Sequence, residues 1–465
     1  MDTRFLPHNT HLDSPTNFQL LDPHLKQLNK QKLIYFSPTI HALPKNEPGI
    51  YSITGGRQIG KTTLIKQWMS QLMANDVYPG NIRYLTGELI DNHHMLVSII
   101  SNILSHADTN MVCFFIIIDE VTYINNWDKG IKYLADAGIL ENVVLIVTGS
   151  DTLIIQEAIK RFPGRRGLSD KVDFHISPLN FYETVKLKKN FDDCELFHLM
   201  NASIEASSEL IERLFSEFNY YLCHGGFLTA INDMVSHGKI RNATCITYSD
   251  WIRGDFLKNN KQEHYLKEIV FAIIQRYASQ ITWNSLAKEM SIDHPKTISD
   301  YIELLSRMDV LFVQHAIRED KLSAAPKKAK KVIFTDPFIF HAINAWLNPS
   351  DHIYSQNISA MIHDPVWSSK IAEACAISHY HQKYPTYYIK AAGEVDIAYV
   401  HQNKMFPVEI KWTHNIQSYF LKQLKKYSNG KILTRLKTSR KVNDIDSEPL
   451  PLALLKLEPI LKKLG

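Results

Sequence analysis

One stretch constrains this chain more than any other. Ile50 to Leu64 reads I-Y-S-I-T-G-G-R-Q-I-G-K-T-T-L. A β-branched, apolar run ends at Thr54, and the residues from Gly55 to Thr62 then fill every position of the G-x-x-x-x-G-K-[ST] pattern. The glycines let the backbone curl until successive N–H groups point at phosphate oxygens. Leu64, Ile65, Trp68 and Met69 supply the helical period that must follow. Strand, loop and helix therefore arrive in the order that a phosphate-binding loop requires. The residues expected to touch nucleotide are Gly55, Gly56, Arg57, Gln58, Ile59, Gly60, Lys61, Thr62 and Thr63.

Such a loop needs an acidic partner. Met111 to Ile118 is a continuous apolar run, as expected for a strand buried on both faces of a parallel sheet, and it ends in Asp119-Glu120. At a strand end the first carboxylate can hold Mg²⁺ and the second can polarise attacking water. The interval between the motifs has room for one strand near Arg83. That spacing favours the ATPase group in which a strand intervenes between the loop strand and the acidic strand. A further apolar run, Glu141 to Val147, leads to Thr148-Gly149-Ser150, where either Thr148 or Ser150 can sense the γ-phosphate. Phe162-Pro163-Gly164-Arg165-Arg166-Gly167 puts arginine on a turn before the strand Lys171 to Ile176, from which it can reach a neighbouring subunit's nucleotide.

At 465 residues the chain calls for two to four domains. A hydrophobic content of 45% with 22% charged residues is ordinary for a globular protein, and a net charge of +4 does not identify a nucleic-acid binder. The five cysteines, with no C-x-x-C pair, disfavour a zinc site or a disulfide framework. The start has no secretory signal and no stretch is long enough to span a bilayer, so a cytoplasmic location is expected and the sequons at Asn201 and Asn242 read as coincidences.

The polar, Pro-interrupted residues 1–16 read as a flexible arm and 17–180 as the ATPase domain. Residues 181–258 read as a helical lid. Between 259 and 335, Ile281 to Met290 and Pro295 to Met308 have helix–turn–helix grammar, with Ser285 as the expected cap of the first helix. Val310 to Val313 and Lys331 to Phe334 supply wing strands. The basic linker with Lys321, Lys327, Lys328, Lys330 and Lys331 can contact DNA phosphates or simply face water. In 336–465, a helix carrying Glu373 precedes a hairpin with Asp396 and a strand with Glu409-Ile410-Lys411. Alternation along strands lets Asp396, and Glu409 with Lys411, face one side of a sheet. Hard oxygen ligands of this kind can hold Mg²⁺ or Mn²⁺, with the lysine aligning the attacking water.

The set G-G-R-Q-I-G-K-T-T-L, I-I-I-D-E-V, N-N-W-D-K-G, L-I-V-T-G-S and P-G-R-R-G…H-I-S-P-L-N-F-Y-E resembles the AAA+-type ATPases of bacteria and archaea. In particular it resembles those fused to a carboxy-terminal domain similar to the PD-(D/E)xK nucleases. The resemblance implies an α/β chain with a P-loop NTPase parallel sheet, a helical lid, a winged helix–turn–helix and a nuclease-like domain. It implies that Lys61 contacts the β- and γ-phosphates, Thr62 and Asp119 serve Mg²⁺, and Glu120 activates water. Ser150 or its neighbour would act as sensor, and Arg165 or Arg166 as an arginine given to a second copy in a homo-oligomer. Glu373, Asp396, Glu409 and Lys411 match the nuclease core, without the proline of its name. The expected partners are ATP and DNA. Metal-dependent cleavage is the activity implied, and a catalytically idle platform on a signalling-type ATPase switch is the alternative.

Overall fold

A computed structural model describes residues 2–105, 113–162, 164–167, 169–201, 207–292, 294–413 and 416–458. Met111 and Val112 of the expected acidic strand, Pro163 of the arginine turn and Asp293 of the helix–turn–helix lie outside them. The chain divides into two compact units, Met1–Ser177 and Pro178–Gly465.

The first unit is built on a parallel sheet. Its strands are β1 (Gly49–Thr54), β2 (Ile82–Thr86), β3 (Phe114–Asp119), β4 (Val143–Gly149) and β5 (Asp173–His175), in the order β2-β3-β4-β1-β5. Alternation sorts the strand residues between two cores. Ile116 and Ile118 of β3, with Leu145 and Val147 of β4, pack with helices His93–Ser105 and Trp127–Asp136. Phe115, Ile117, Val144 and Ile146 point the other way, toward Leu64, Ile65, Trp68 and Met69 of helix Lys61–Ala74. Covered on both faces, β3 and β4 are buried at every position, which explains their unbroken apolar sequence.

A strand does stand between the loop strand β1 and the acidic strand β3, as the spacing of the motifs favours: it is β4, paired to both, while the strand near Arg83 is the sheet edge. Burial matches that placement, because β2 keeps partly exposed positions and β4 has none. One expectation changes. Residues 3–8, expected within a flexible arm, form a 3-10 helix whose Phe5 is fully buried in the first core. The Asn9 side chain donates to the Tyr84 carbonyl at 2.8 Å and accepts from the Tyr84 N–H at 2.8 Å, so this segment extends the hydrogen bonding of the edge strand.

In the second unit, helices Ser208–His224, Leu228–His237, Asn242–Lys258 and Glu263–Gln275 precede helices Trp283–Ala287 and Pro295–Arg307. Thr282 caps the first of that last pair, with Ser285 answering from its third position, so the cap lies three residues before the one expected. Strands Leu311–His315 and Lys330–Phe334 pair antiparallel. Helix Pro365–Lys383 then leads into a six-stranded sheet in the spatial order Thr386–Lys390, Glu394–His401, Lys404–Lys411, Lys431–Thr434, Ile445–Pro449, Arg440–Val442. Its first three strands run antiparallel, and Lys404–Lys411, Lys431–Thr434 and Ile445–Pro449 run parallel. All five cysteines are free. Among the described residues no helix is long and apolar enough to cross a membrane.

Candidate functional site

The loop leaves β1 at Thr54 and enters helix Lys61–Ala74 through Gly60, whose φ of 98° a side chain would resist. The unpartnered N–H groups of a first helical turn make this end an anion site. Lys61 is nearly buried, and its ammonium donates to the Gly55 carbonyl at 2.9 Å and the Gly56 carbonyl at 3.0 Å. The same nitrogen lies 3.6 Å from Glu120 Oε1.

The acids at the end of β3 are each held by hydroxyls from neighbouring elements. Asp119 Oδ2 accepts from the Thr62 hydroxyl at 2.7 Å and from the Tyr84 hydroxyl, while Oδ1 accepts from the Thr148 hydroxyl. Glu120 has left-handed backbone, φ 54°, and its N–H donates to Thr148 Oγ1 at 3.0 Å. That strained conformation turns the side chain back toward the loop, where Glu120 Oε2 accepts from the Ser150 N–H at 3.3 Å and hydroxyl at 3.2 Å. Gly87 makes the bend feasible, because a Cβ there would stand 2.3 Å from the Glu120 carbonyl oxygen. The two sensor candidates thus divide the acids between them, Thr148 on Asp119 and Ser150 on Glu120.

Tyr84 escaped the sequence reading. Burial, and then the Asp119 charge, raise its phenol well above the ordinary value, so it stays a donor. Over its ring, 3.7 Å from the centroid, sits the Lys66 ammonium. That cation pairs with Asp22 Oδ2 at 3.1 Å and donates to the His8 carbonyl at 2.6 Å. Nothing local in R-Y-L indicated which carboxylate Tyr84 would meet.

Thr62 and Asp119 offer a hydroxyl and a carboxylate oxygen in contact, a hard donor pair that fits Mg²⁺. Each candidate arginine is engaged inside the unit. Arg165 pairs with Asp136, and Arg166 donates to both Asp173 oxygens at 2.5 and 2.7 Å. Arg57 of the loop donates to the Tyr123 hydroxyl at 2.7 Å.

In the second unit Glu373, Asp396, Glu409 and Lys411 do come together. Ile410 N–H donates to Asp396 Oδ2 at 2.9 Å, and the Lys411 ammonium pairs with Glu409 and stands 3.9 Å from Asp396. Burial, and then the Asp396 charge, push the Glu409 carboxyl up to about 8 and that of Glu373 up to about 7. Burial works the same way on Asp396, but Lys331 and then Lys411 outweigh it and hold that carboxyl below its ordinary value.

Lys331 is the residue that changes this site. Expected on a basic wing, it has a side chain only 1% exposed, and its ammonium lies 2.9 Å from Glu373, 2.5 Å from Glu394 and 3.4 Å from Asp396. The expected Mg²⁺ or Mn²⁺ set is therefore corrected: a lysine nitrogen stands among the carboxylates, and no described group of three or more Asp, Glu, His or Cys residues is disposed to hold a metal ion. The residues present do not fit a resident divalent ion. The available signal was the run K-K-V-I-F, in which four residues of five are buried.

Residues 47–185 match a family model described as an AAA domain, and residues 215–350 match a domain of unknown function. An uncharacterised protein of Methanocaldococcus jannaschii is 26% identical over 67% of this chain and 66% of its own length. One from Haemophilus influenzae is 23% identical over 56% of this chain and 61% of its own. The chain thus spans less than two thirds of either relative. Among solved structures, a Walker-type ATPase of Pyrococcus abyssi is 14% identical, with a TM-score of 0.38 over 63% of this chain and 91% of the other. The Aeropyrum pernix ORC1 protein, solved in complex with DNA, is 11% identical, with a TM-score of 0.32 over 68% and 89%. The AAA-domain match and the loop with its acids together support an AAA-type P-loop ATPase.

Proposed function

We propose that this AAA-type P-loop ATPase hydrolyses Mg·ATP at the first unit and that its nucleotide state controls a DNA-binding second unit. One observation carries the first half: Thr62, Asp119, Glu120 and Lys61 meet within hydrogen-bond or ion-pair reach of the loop. Triphosphate oxygens replace the Gly55 and Gly56 carbonyls as acceptors for Lys61, and the loop N–H groups hold the phosphates. Thr62 and Asp119 would hold Mg²⁺, which would supply neutralisation of the phosphate charge. Glu120 accepts a proton from the attacking water, and its ion pair with Lys61 loosens as that lysine turns to phosphate. Ser150, bound to Glu120, then registers whether the γ-phosphate is present. For Arg165 to serve a second copy, it must first leave Asp136.

The second half rests on chemistry that could grip a duplex. Helices Trp283–Ala287 and Pro295–Arg307 with the antiparallel pair Leu311–His315 and Lys330–Phe334 have the composition of a winged helix. Lys296, Lys327 and Lys328 are exposed cations on it. Acids on a helix and on neighbouring strands of the carboxy-terminal sheet support the nuclease-like reading of this domain, and Lys331 among them favours the idle-platform alternative over cleavage.

The test separates binding from turnover. Lys61→Ala should weaken ATP binding and abolish hydrolysis. Glu120→Gln should keep ATP binding and lower turnover about 10²- to 10⁴-fold. Normal hydrolysis in both variants would end the ATPase assignment. Absence of duplex binding by the full chain would remove the DNA half, and binding that does not weaken with Lys327 and Lys328 changed to Ala would move it off the wing.

A further inference from the structure

The acidic cluster of the second unit already has a cation. We propose that the Lys331 ammonium is its resident positive charge and stands in for a divalent metal, so that the native cluster binds none and a latent metal site is released when Lys331 is removed. This goes beyond the ATPase reading and does not depend on turnover or on DNA binding.

The placement is built into the fold. Lys331 pairs in register with Gln314 across the antiparallel strands. The Gln314 amide, itself buried, donates to the carbonyl oxygens of Asp396 at 2.9 Å and Tyr387 at 3.0 Å. The same strand pair therefore delivers both the cation and a hydrogen-bonding clamp to the strand that carries Asp396. Its neighbours behave differently. Lys327 and Lys328 are exposed, and the Lys330 ammonium donates to the Pro326 carbonyl at 3.4 Å. Only Lys331, of this basic run, enters the cluster.

An ammonium has three protons to give, and three carboxylates surround this one: Glu373, Glu394 and Asp396. Lys411 spans Glu409 and Asp396 on the other side. Mg²⁺ needs oxygen ligands at about 2.0–2.1 Å and Ca²⁺ at about 2.3–2.6 Å, so neither can share the volume that the Lys331 nitrogen fills. Removal of the Lys331 ammonium would leave oxygens of Glu373, Glu394 and Asp396 converging on a vacated position.

Mn²⁺ binding to the full chain, followed by electron paramagnetic resonance without nucleotide, tests this. Every variant is built on Asp119→Asn, so that the first unit contributes no metal site. With Lys331 intact, no Mn²⁺ should be bound. Lys331→Met should bind one Mn²⁺ per chain, adding Asp396→Asn should abolish that binding, and Lys331→Arg should bind none. Mn²⁺ held by the chain with Lys331 intact and lost on Asp396→Asn would overturn the proposal. So would a folded Lys331→Met chain that binds none. If Lys331→Met does not fold, thermal melting of the Lys331-intact chain decides: Mn²⁺ should leave its Tm unchanged, and an upshift abolished by Asp396→Asn refutes the assignment. Loss of ATPase activity or of DNA binding changes none of these readouts.

Discussion

Replacing Lys66 by Met should unfold the ATPase unit at markedly lower denaturant, and much of that loss should return when Asp22 is changed to Asn as well. Both side chains are 0% exposed and the ions stand 3.1 Å apart. At an effective dielectric constant of about 20, Coulomb's law gives a gross attraction of about 5 kcal/mol for that separation. Desolvation of both ions offsets most of it, so the pair contributes little net stability. Breaking the pair is different. Lys66→Met leaves the Asp22 charge buried beside an apolar thioether, at a cost of about 3–5 kcal/mol. Asp22 also caps the short helix Pro23–Leu28 through Oδ1, accepting from the His24 and Leu25 N–H groups, and asparagine can keep that bond. The double variant therefore loses the ion pair but not the cap, and the coupling energy should be about 2–4 kcal/mol. Urea unfolding of the four chains, followed by tryptophan fluorescence, measures it; Trp68 and Trp127 lie in the two cores. Additive losses, or a Lys66→Met cost below about 1 kcal/mol, would show that this charge pair is not what anchors the amino-terminal segment.

Three further outcomes follow from the same geometry. Tyr84→Phe removes the hydroxyl from Asp119 while leaving a ring under Lys66, so the Mg²⁺ concentration for half-maximal ATP turnover should rise about tenfold with nucleotide affinity unchanged; an unaltered Mg²⁺ dependence would refute it. Gly87→Ala should lower turnover rather than stability alone, because its Cβ collides with the Glu120 carbonyl, and a normal kcat would show that the left-handed turn is dispensable. His379 accepts from the Phe181 N–H at Nε2 and donates from Nδ1 to the Cys375 carbonyl, and burial holds it down to about 4. Its folded pKa lies below the unfolded value of about 6.5, so the unfolded chain takes up the extra proton between pH 6.5 and 4 and stability is lost as pH falls through that window. The raised carboxyls of Glu373 and Glu409 bend the profile the other way, so the sign is read from the difference between native protein and His379→Gln. That difference should move by about 3 kcal/mol in favour of the variant from pH 6.5 to 4, and a flat difference would refute the neutral imidazole.

Local chemistry made some of this structure readable and non-local pairing hid the rest. The loop from Gly55 to Thr62 and the apolar run into Asp119 declare themselves because each is contiguous and each imposes its own backbone. The spacing of the two motifs indicated a strand between β1 and β3, but which strand fills that place was not readable, since V-V-L-I-V-T-G competes for it only in three dimensions. Phe5 was lost among polar and proline residues because a single buried ring carries no period. Lys331 was misplaced for a related reason: a lysine in a basic run looks solvated until the acids that receive it, 42 to 65 residues later, have folded around it.

The reach of Lys331 also sets where the chain can be cut. A fragment beginning at residue 336 would keep Glu373, Glu394, Asp396 and Glu409 but lose the strand that carries their partner, and its interior would hold more like charge than a sheet of that size tolerates. Trimming to residue 270 or earlier keeps donor and acceptors together. The acids and the basic strand before them therefore belong in the same fragment.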